Sequence, residues 1–264
     1  MSNKVIVFSG PSLAGFDLDE FAEFEFRPPC KQGDIFLACS DAPGAIAVID
    51  GYFEGQPSVW HKEVLYALSE GVHVFGSSSM GALRAAETHM FGMRGVGAVF
   101  EAYRDGHIND DDEVGLVHGP EELGYVPLSE PMVNIRATCA LAVESGVIST
   151  HQSDEICKIA KADFYKVRTW DRVINRLASA DIPGLDVPIF EKWITGNALD
   201  QKKLDAVALL HTLKDEDLSN PFAAEFEFVV TEFWHRCTST WVSRKNHKQT
   251  QRAARSSEEF KLFD

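Results

Sequence analysis

The stretch Val72-His-Val-Phe-Gly-Ser-Ser-Ser79-Met-Gly-Ala-Leu-Arg-Ala-Ala-Glu87 joins a short apolar run, a turn of small residues and an alanine-rich segment of strong helix formers. An apolar run on successive rather than alternate positions predicts a strand buried on both faces, as in a parallel sheet. Upstream, Ala45 to Ile49 is a second such run. Between the two, Pro57 to Glu70 carries helix signals: Pro57 and Ser58 open it, Val59, Trp60, Val64, Leu65, Ala67 and Leu68 give it an apolar face, and Gly71 closes it. Ala45 to Phe75 therefore predicts one βαβ unit. Val5 to Phe8 and Asp34 to Cys39 are further runs of the same kind, read as the first and third strands. The fold class expected is α/β: a parallel-sheet three-layer α/β core followed by a mostly helical C-terminal region. Gly81, Ala82, Ala85 and Ala86 would let the helix that starts at Met80 lie close against its neighbour.

Downstream, Gly92, Gly95, Gly97 and Gly106 break the pattern, and Asn109 to Glu113 forms an acidic turn. Val114 to Val117 and Gly124 to Leu128 predict two short strands joined by a loop at Gly119-Pro120. After Pro131 the pattern becomes helical: Met132 to Ser145, Ser153 to Ala180, and Pro188 to Leu213 with a break at Thr195-Gly196. The tail from Arg244 to Arg255 reads as a solvated helix or a frayed end. A boundary near residue 130 divides the chain into an α/β core (1–130) and a helical region (131–264).

Composition narrows the function classes. The 264 residues include 25 basic and 40 acidic ones, a net charge of −15, which argues against a protein that tracks nucleic-acid phosphates. Five scattered cysteines (Cys30, Cys39, Cys139, Cys157 and Cys237), with no CxxC pair and no zinc-ligand spacing, fit a reducing, cytosolic setting. No run reaches the roughly 18 to 20 apolar residues of a membrane span, and Val5 to Phe8 is too short for a signal sequence.

In a right-handed βαβ unit the loops leaving the strands collect at the carboxyl edge of the sheet, where ligands bind. Ser9-Gly-Pro-Ser12, Ser40-Asp41, Asp50-Gly-Tyr-Phe53 and Gly76-Ser-Ser-Ser79 are expected there, with the first turn of the crossover helix carrying His61, Lys62 and Glu63. Ser79 stands out, because a serine on a tight strand-to-helix turn lifts its hydroxyl above the sheet and the next N–H, that of Met80, faces a developing oxyanion. Three readings stay open: a helix N-cap, a nucleophile, or part of a phosphate cradle. A nucleophile needs a base within about 3 Å. His89 lies about 15 Å along the same helix and is ruled out. His73 sits mid-strand, and His118 lies in a turn that could fold over the site or away from it. Topology leaves His61 and Lys62 as candidates; Lys62 would need its pKa lowered from about 10.4 towards 7 to 8 by apolar neighbours such as Val59 and Tyr66. Arg84 and Glu87 are spaced as a surface ion pair or as groups that orient the site. Asp110 to Glu113 could hold a hard cation, but it lacks the glycine and distant glutamate of an EF-hand loop.

Val5-Ile-Val-Phe8 with Gly10-Pro-Ser12, Ile49-Asp-Gly51, His61-Lys-Glu63, Ala67 to Gly71, Ser78 to Glu87, Gly92 to Gly97 and Asp111 to Val114 together resemble the TfuA-like family over about residues 3 to 120. That resemblance implies an accessory of a YcaO enzyme, which activates a backbone amide with ATP for conversion to a thioamide. It implies hydrolysis of a thiocarboxylated, ThiS-like sulfur-carrier protein by a Ser/Lys pair, with the precursor peptide as a further contact. Carried over, the serine is Ser79 and the lysine Lys62, with the oxyanion and substrate held by Met80, Gly10, Ser12 and Ser78 and support from Asp50, His61, Arg84 and Glu87. No metal or organic cofactor is implied. The alternative is a non-catalytic scaffold that binds YcaO and a peptide or carrier; a nucleotide-binding domain lacks its glycine-rich patterns. If the acidic excess lies on the Asp110 to Glu122 side, binding to a basic partner face should depend on salt.

Overall fold

In a computed structural model, residues 4–52 and 54–260 are described, with side chains up to residue 246; Phe53 and the basic side chains beyond Lys245 lie outside them. β1 (Val5–Phe8), β2 (Glu25–Arg27), α1 (Asp34–Cys39), β3 (Ala45–Val48), α2 (His61–Ser69), β4 (His73–Ser77), α3 (Met80–Thr88), β5 (Arg94–Val96) and α4 (Ala98–Arg104) form the first half. The five strands make one all-parallel sheet in the order β2-β1-β3-β4-β5. Successive strands leave β1 in opposite directions, so the strand order reverses between β1 and β3. That crevice is where open parallel sheets bind ligands.

β1 and β3 are buried at every residue, as two-sided burial requires. One face, with Ile6, Phe8, Ile46, Val48 and Val74, packs against Ile35, Val64, Leu68, Ala82, Ala85 and Phe100 of the helices α1 to α4. The other face, with Val5, Val7, Ala47, Ile49 and Phe75, is covered by a helix from far down the chain. After α5 (Met132–Glu144), α6 (Thr150–Lys161), α7 (Trp170–Leu177) and α8 (Val187–Asn197), α9 (Gln201–Lys214) returns and lays Ala206, Leu209, Leu210 and Leu213 on the sheet. The helices α5 to α8 share a separate core around Ile135, Ile156, Val173 and Phe190. The chain ends in α10 (Glu232–Phe260), whose Trp234 and Trp241 pack beside Phe36. Among the described residues no helix is long and apolar enough to cross a membrane.

Three expectations need correction. Asp34 to Cys39 is a helix, not a strand: it buries Ile35 and Ala38, three residues apart, and its start is fixed by Gly33 in the left-handed region (φ 92°). A run of five apolar residues, Ile35 to Cys39, fits either structure. Ser40-Asp41 therefore does not follow a strand, and Asp41 pairs with Arg27. The strands at the sheet edges are β2 and β5, both three residues long and both containing arginine. Val114 to Leu128 is a ribbon, not two regular strands, held by Gly119 N to Val126 O (2.9 Å), Leu128 N to Val117 O (2.7 Å) and one bridge between His118 and Pro127.

The helical half also breaks at different places: 162–169 separates α6 from α7, and the interruption before α9 follows Asn197, past Thr195 and Gly196. Three carboxylates of the acidic turn are paired with cations from the helical half. Glu113 accepts two hydrogen bonds from Arg136 (2.8 and 2.9 Å), Asp112 is engaged by Lys161 and by the fully buried Arg168, and Asp110 pairs with Lys161 (3.1 Å). These cations hold the carboxyls of Asp112 and Glu113 below the usual carboxylate range against the opposing effect of burial. Of the acidic excess anticipated on that side, Asp110, Asp111, Glu121 and Glu122 stay exposed.

Candidate active site

Asp50 follows β3 at the point where the strand order reverses, and its buried carboxylate gathers the loop after β1. Oδ2 accepts Gly10 N (2.9 Å) and Ser12 N (3.0 Å), while Oδ1 accepts Ser12 Oγ (2.7 Å). Ser78 Oγ then donates to Ser12 Oγ (2.9 Å), tying the turn after β4 to the same carboxylate. Gly10 and Ser12, expected to face an oxyanion, thus use their N–H groups to hold Asp50.

The turn itself is strained and closely packed. Ser78 adopts φ 66°, a left-handed conformation rare for a residue with a side chain. Gly81 N donates to Ile49 O (3.2 Å), and a Cβ on Gly81 would stand 1.7 Å from Val48 O. The small residues of α3 therefore let its first turn lie directly on the end of β3. Ser77 Oγ bonds Val96 O (2.7 Å) and Asp205 O (2.9 Å). Ser79 differs from both neighbours: it occupies the N-cap position of α3, yet its side chain makes no capping hydrogen bond. Met80 N, a first-turn donor, has no hydrogen-bond partner among the described residues.

Ser79 lines a cavity of roughly 450 Å³ together with Pro11, Asp50, Gly51, Tyr52, His118, Tyr165 and Lys202. Lys202, in the first turn of α9, is 2% exposed; its Nζ donates to Val114 O (3.0 Å) and lies 3.9 Å from Asp50 Oδ1. Burial pulls its pKa below the ordinary lysine value, with Asp50, Asp200 and Glu130 opposing. Glu130, half-buried beside Asn134, is itself pushed up to about 7 by desolvation. A buried amine with lowered proton affinity, in the wall of the cavity that holds an uncapped serine, matches what serine nucleophile activation requires.

The other sequence candidates are placed elsewhere. Lys62 Nζ donates to Thr231 Oγ1 (3.3 Å) and lies over the rings of Phe228 (5.3 Å) and Trp234 (5.8 Å), facing the C-terminal segment. His61 Nε2 meets Glu87 (2.7 Å), Arg84 pairs with the same carboxylate (2.6 Å), and Arg84 Nε donates to Val59 O (2.9 Å). These three line a second cleft, with Met80 and Asp110. The structure brings Ser79 together with Asp50, and places His118 in the same wall. Lys202 had no sequence signal: a lysine near a helix start, in Gln201-Lys-Lys203, reads as solvated.

No protein among curated sequences matches the chain. Residues 50–169 match the family model described as TfuA-like protein, a segment that takes in Asp50, Ser79 and His118 and stops short of Lys202. The match begins later than the resemblance in the sequence and runs further into the helical half. Over this segment, a little under half of the chain, the protein is similar to the TfuA-like family.

Proposed function

We propose that this chain is a serine hydrolase that releases sulfide from a thiocarboxylated, ThiS-like carrier protein and supplies it to a YcaO partner acting on a precursor peptide. The observation that carries this reading is Ser79, uncapped at the start of α3, in one cavity with the buried amine of Lys202. We assign the base role to Lys202 in place of Lys62, whose ammonium is engaged by Thr231 and two aromatic rings.

The chemistry balances without a cofactor. Lys202, neutral, takes the proton of Ser79 Oγ as the oxygen attacks the carbonyl carbon of the thiocarboxylate. Sulfur cannot depart as the doubly charged sulfide, so the Lys202 ammonium returns that proton to it. The C–S bond breaks, hydrosulfide leaves, and an ester on Ser79 remains. Met80 N is the donor available for the tetrahedral oxyanion. Water then cleaves the ester to a carboxylate. Asp50 serves as the anchor that sets the β1 loop and the turn before Ser79 in register.

Exposed Leu123, Val126, Leu128, Phe164 and Val167, on segments flanking the cavity, suit a protein partner and agree also with a scaffold that performs no chemistry. Turnover separates the two. Ser79→Ala should fold and melt like the parent while losing sulfide release from a thiocarboxylated carrier by at least about 10³-fold, a typical loss for a nucleophile. Release at the parental rate in that variant would sink the hydrolase reading.

A further inference from the structure

We propose that His118 is the base that activates water to discharge the acyl-enzyme, an assignment that rests on the hydrolase reading above. Its Nδ1 lies 2.7 Å from Gly119 O. A carbonyl oxygen can only accept, so Nδ1 carries the ring proton and the neutral imidazole keeps its lone pair on Nε2. This is the arrangement that orients a histidine base: one nitrogen pinned to the backbone, the other free to take a proton.

The imidazole is held in place by its own ribbon and by two tyrosine rings. Its backbone belongs to the ribbon clamped by Gly119 N to Val126 O, Leu128 N to Val117 O and Val117 N to Ser129 Oγ (2.8 Å). Its ring meets Tyr125 edge-on (centroids 5.6 Å apart) and lies tilted against Tyr52 (6.5 Å). Tyr125 in turn packs near Gly10, where an added Cβ would stand 3.5 Å from the tyrosine ring, and Gly10 is tied to Asp50. The histidine is thus fixed relative to the loop that frames Ser79.

Elimination gives the same residue. Of the acidic or basic groups in the cavity wall, the Asp50 carboxylate is taken by Gly10 and Ser12, that of Glu54 pairs with Lys166, and Lys202 donates to Val114 O. Lys202 also completes its own proton cycle in acylation, from Ser79 to sulfur. That cycle leaves the amine neutral but tied to Val114 O, whereas His118 Nε2 has no hydrogen-bond partner among the described residues and is the acceptor left open to water. Water gives a proton to His118 Nε2 as its oxygen bonds the ester carbon. The C–Oγ bond then breaks, the product's carboxyl proton passes to Ser79 Oγ, and the imidazolium returns its proton to solvent.

The test uses the full chain and a glycine-terminated peptide thiocarboxylate in rapid-quench experiments. For H118Q we expect a first burst of about one sulfide per enzyme, as in the parent, followed by turnover slowed about 100-fold, the usual scale for general-base loss. Intact-mass measurement should find an acyl adduct that S79A lacks. Added imidazole should restore turnover in H118A, a rescue that a purely structural histidine would not give. Parental steady-state rates in H118Q, or loss of its burst in a chain that still folds, would overturn the assignment to His118 alone. A parent chain that releases no sulfide and forms no adduct would instead overturn the hydrolase reading, and this one with it.

Discussion

Lys202 Nζ and Asp50 Oδ1 stand 3.9 Å apart, each on a side chain 2% exposed. One residue opens a helix of the C-terminal half and the other closes a strand of the sheet, so their approach fastens the two halves at the candidate site. Breaking a buried pair by removing one partner costs more than the pair contributes, because the remaining charge is stranded. Lys202→Met is therefore expected to destabilise the fold by about 3 to 5 kcal/mol in denaturant unfolding. Adding Asp50→Asn should recover part of the stability and none of the sulfide release.

The lowered pKa of Lys202 has a definite sign. Between its folded value and the ordinary 10.5, the unfolded chain holds a proton that the folded chain lacks, so stability and the neutral-amine fraction both rise with pH. The sulfide burst should accelerate with pH through a single ionisation below 10.5. A burst that slows as pH rises over that range would show the ammonium, not the amine, to be the working form.

Gly81→Ala tests the packing beneath Ser79. The new methyl would meet backbone at Val48 O, which cannot swing aside, so α3 must lift off the end of β3. A loss of about 3 kcal/mol or more is expected, at the upper end for overpacking, together with loss of sulfide release. Gly115→Ala, in the cavity wall but with its nearest neighbour atom at 3.4 Å, should fold normally.

Glu63 offers a pH test independent of catalysis. Its buried carboxylate accepts Gly33 N (2.9 Å) and Trp60 N (3.2 Å), bridging the starts of α1 and α2, and burial pushes its pKa from 4.5 to about 7. In that interval the folded chain holds a proton that the unfolded chain has lost. Its contribution is therefore complete below 4.5 and falls as pH rises through about 7. Asp112 and Glu113 change in the opposite direction on acidification, so the parent must be compared with Glu63→Gln. The variant is expected to lose less stability between pH 5 and 8, a difference on the order of 1 to 3 kcal/mol.

Much of the core was legible because burial on both faces leaves a plain trace: Val5 to Phe8, Ala45 to Val48 and His73 to Ser77 fall where successive apolar residues place them. The same trace misled at Asp34 to Cys39, since the five apolar residues after Asp34 fit a short helix as readily as a strand. Glu25–Arg27 and Arg94–Val96 were missed because edge strands are short and tolerate charge. At the site, Ser79 and Asp50 could be located from the order of strands, since both follow strands at the carboxyl edge. Lys202 could not: its role depends on how a helix more than a hundred residues later lies on the sheet, and local sequence does not encode that distance.

The return of α9 also has a consequence for when the chain becomes competent. A ribosome completes Asp50, Ser79 and His118 well before Lys202 emerges, and until α9 docks, the face of the sheet bearing Val7, Ala47 and Phe75 lacks the cover of Ala206, Leu209, Leu210 and Leu213. A nascent chain, or one cut after α8, carries Ser79 without Lys202. Under the proposed hydrolase reading, competence would arrive only with α9, in the same step that completes the cover of this apolar face, and an immature chain would not discharge a sulfur carrier prematurely.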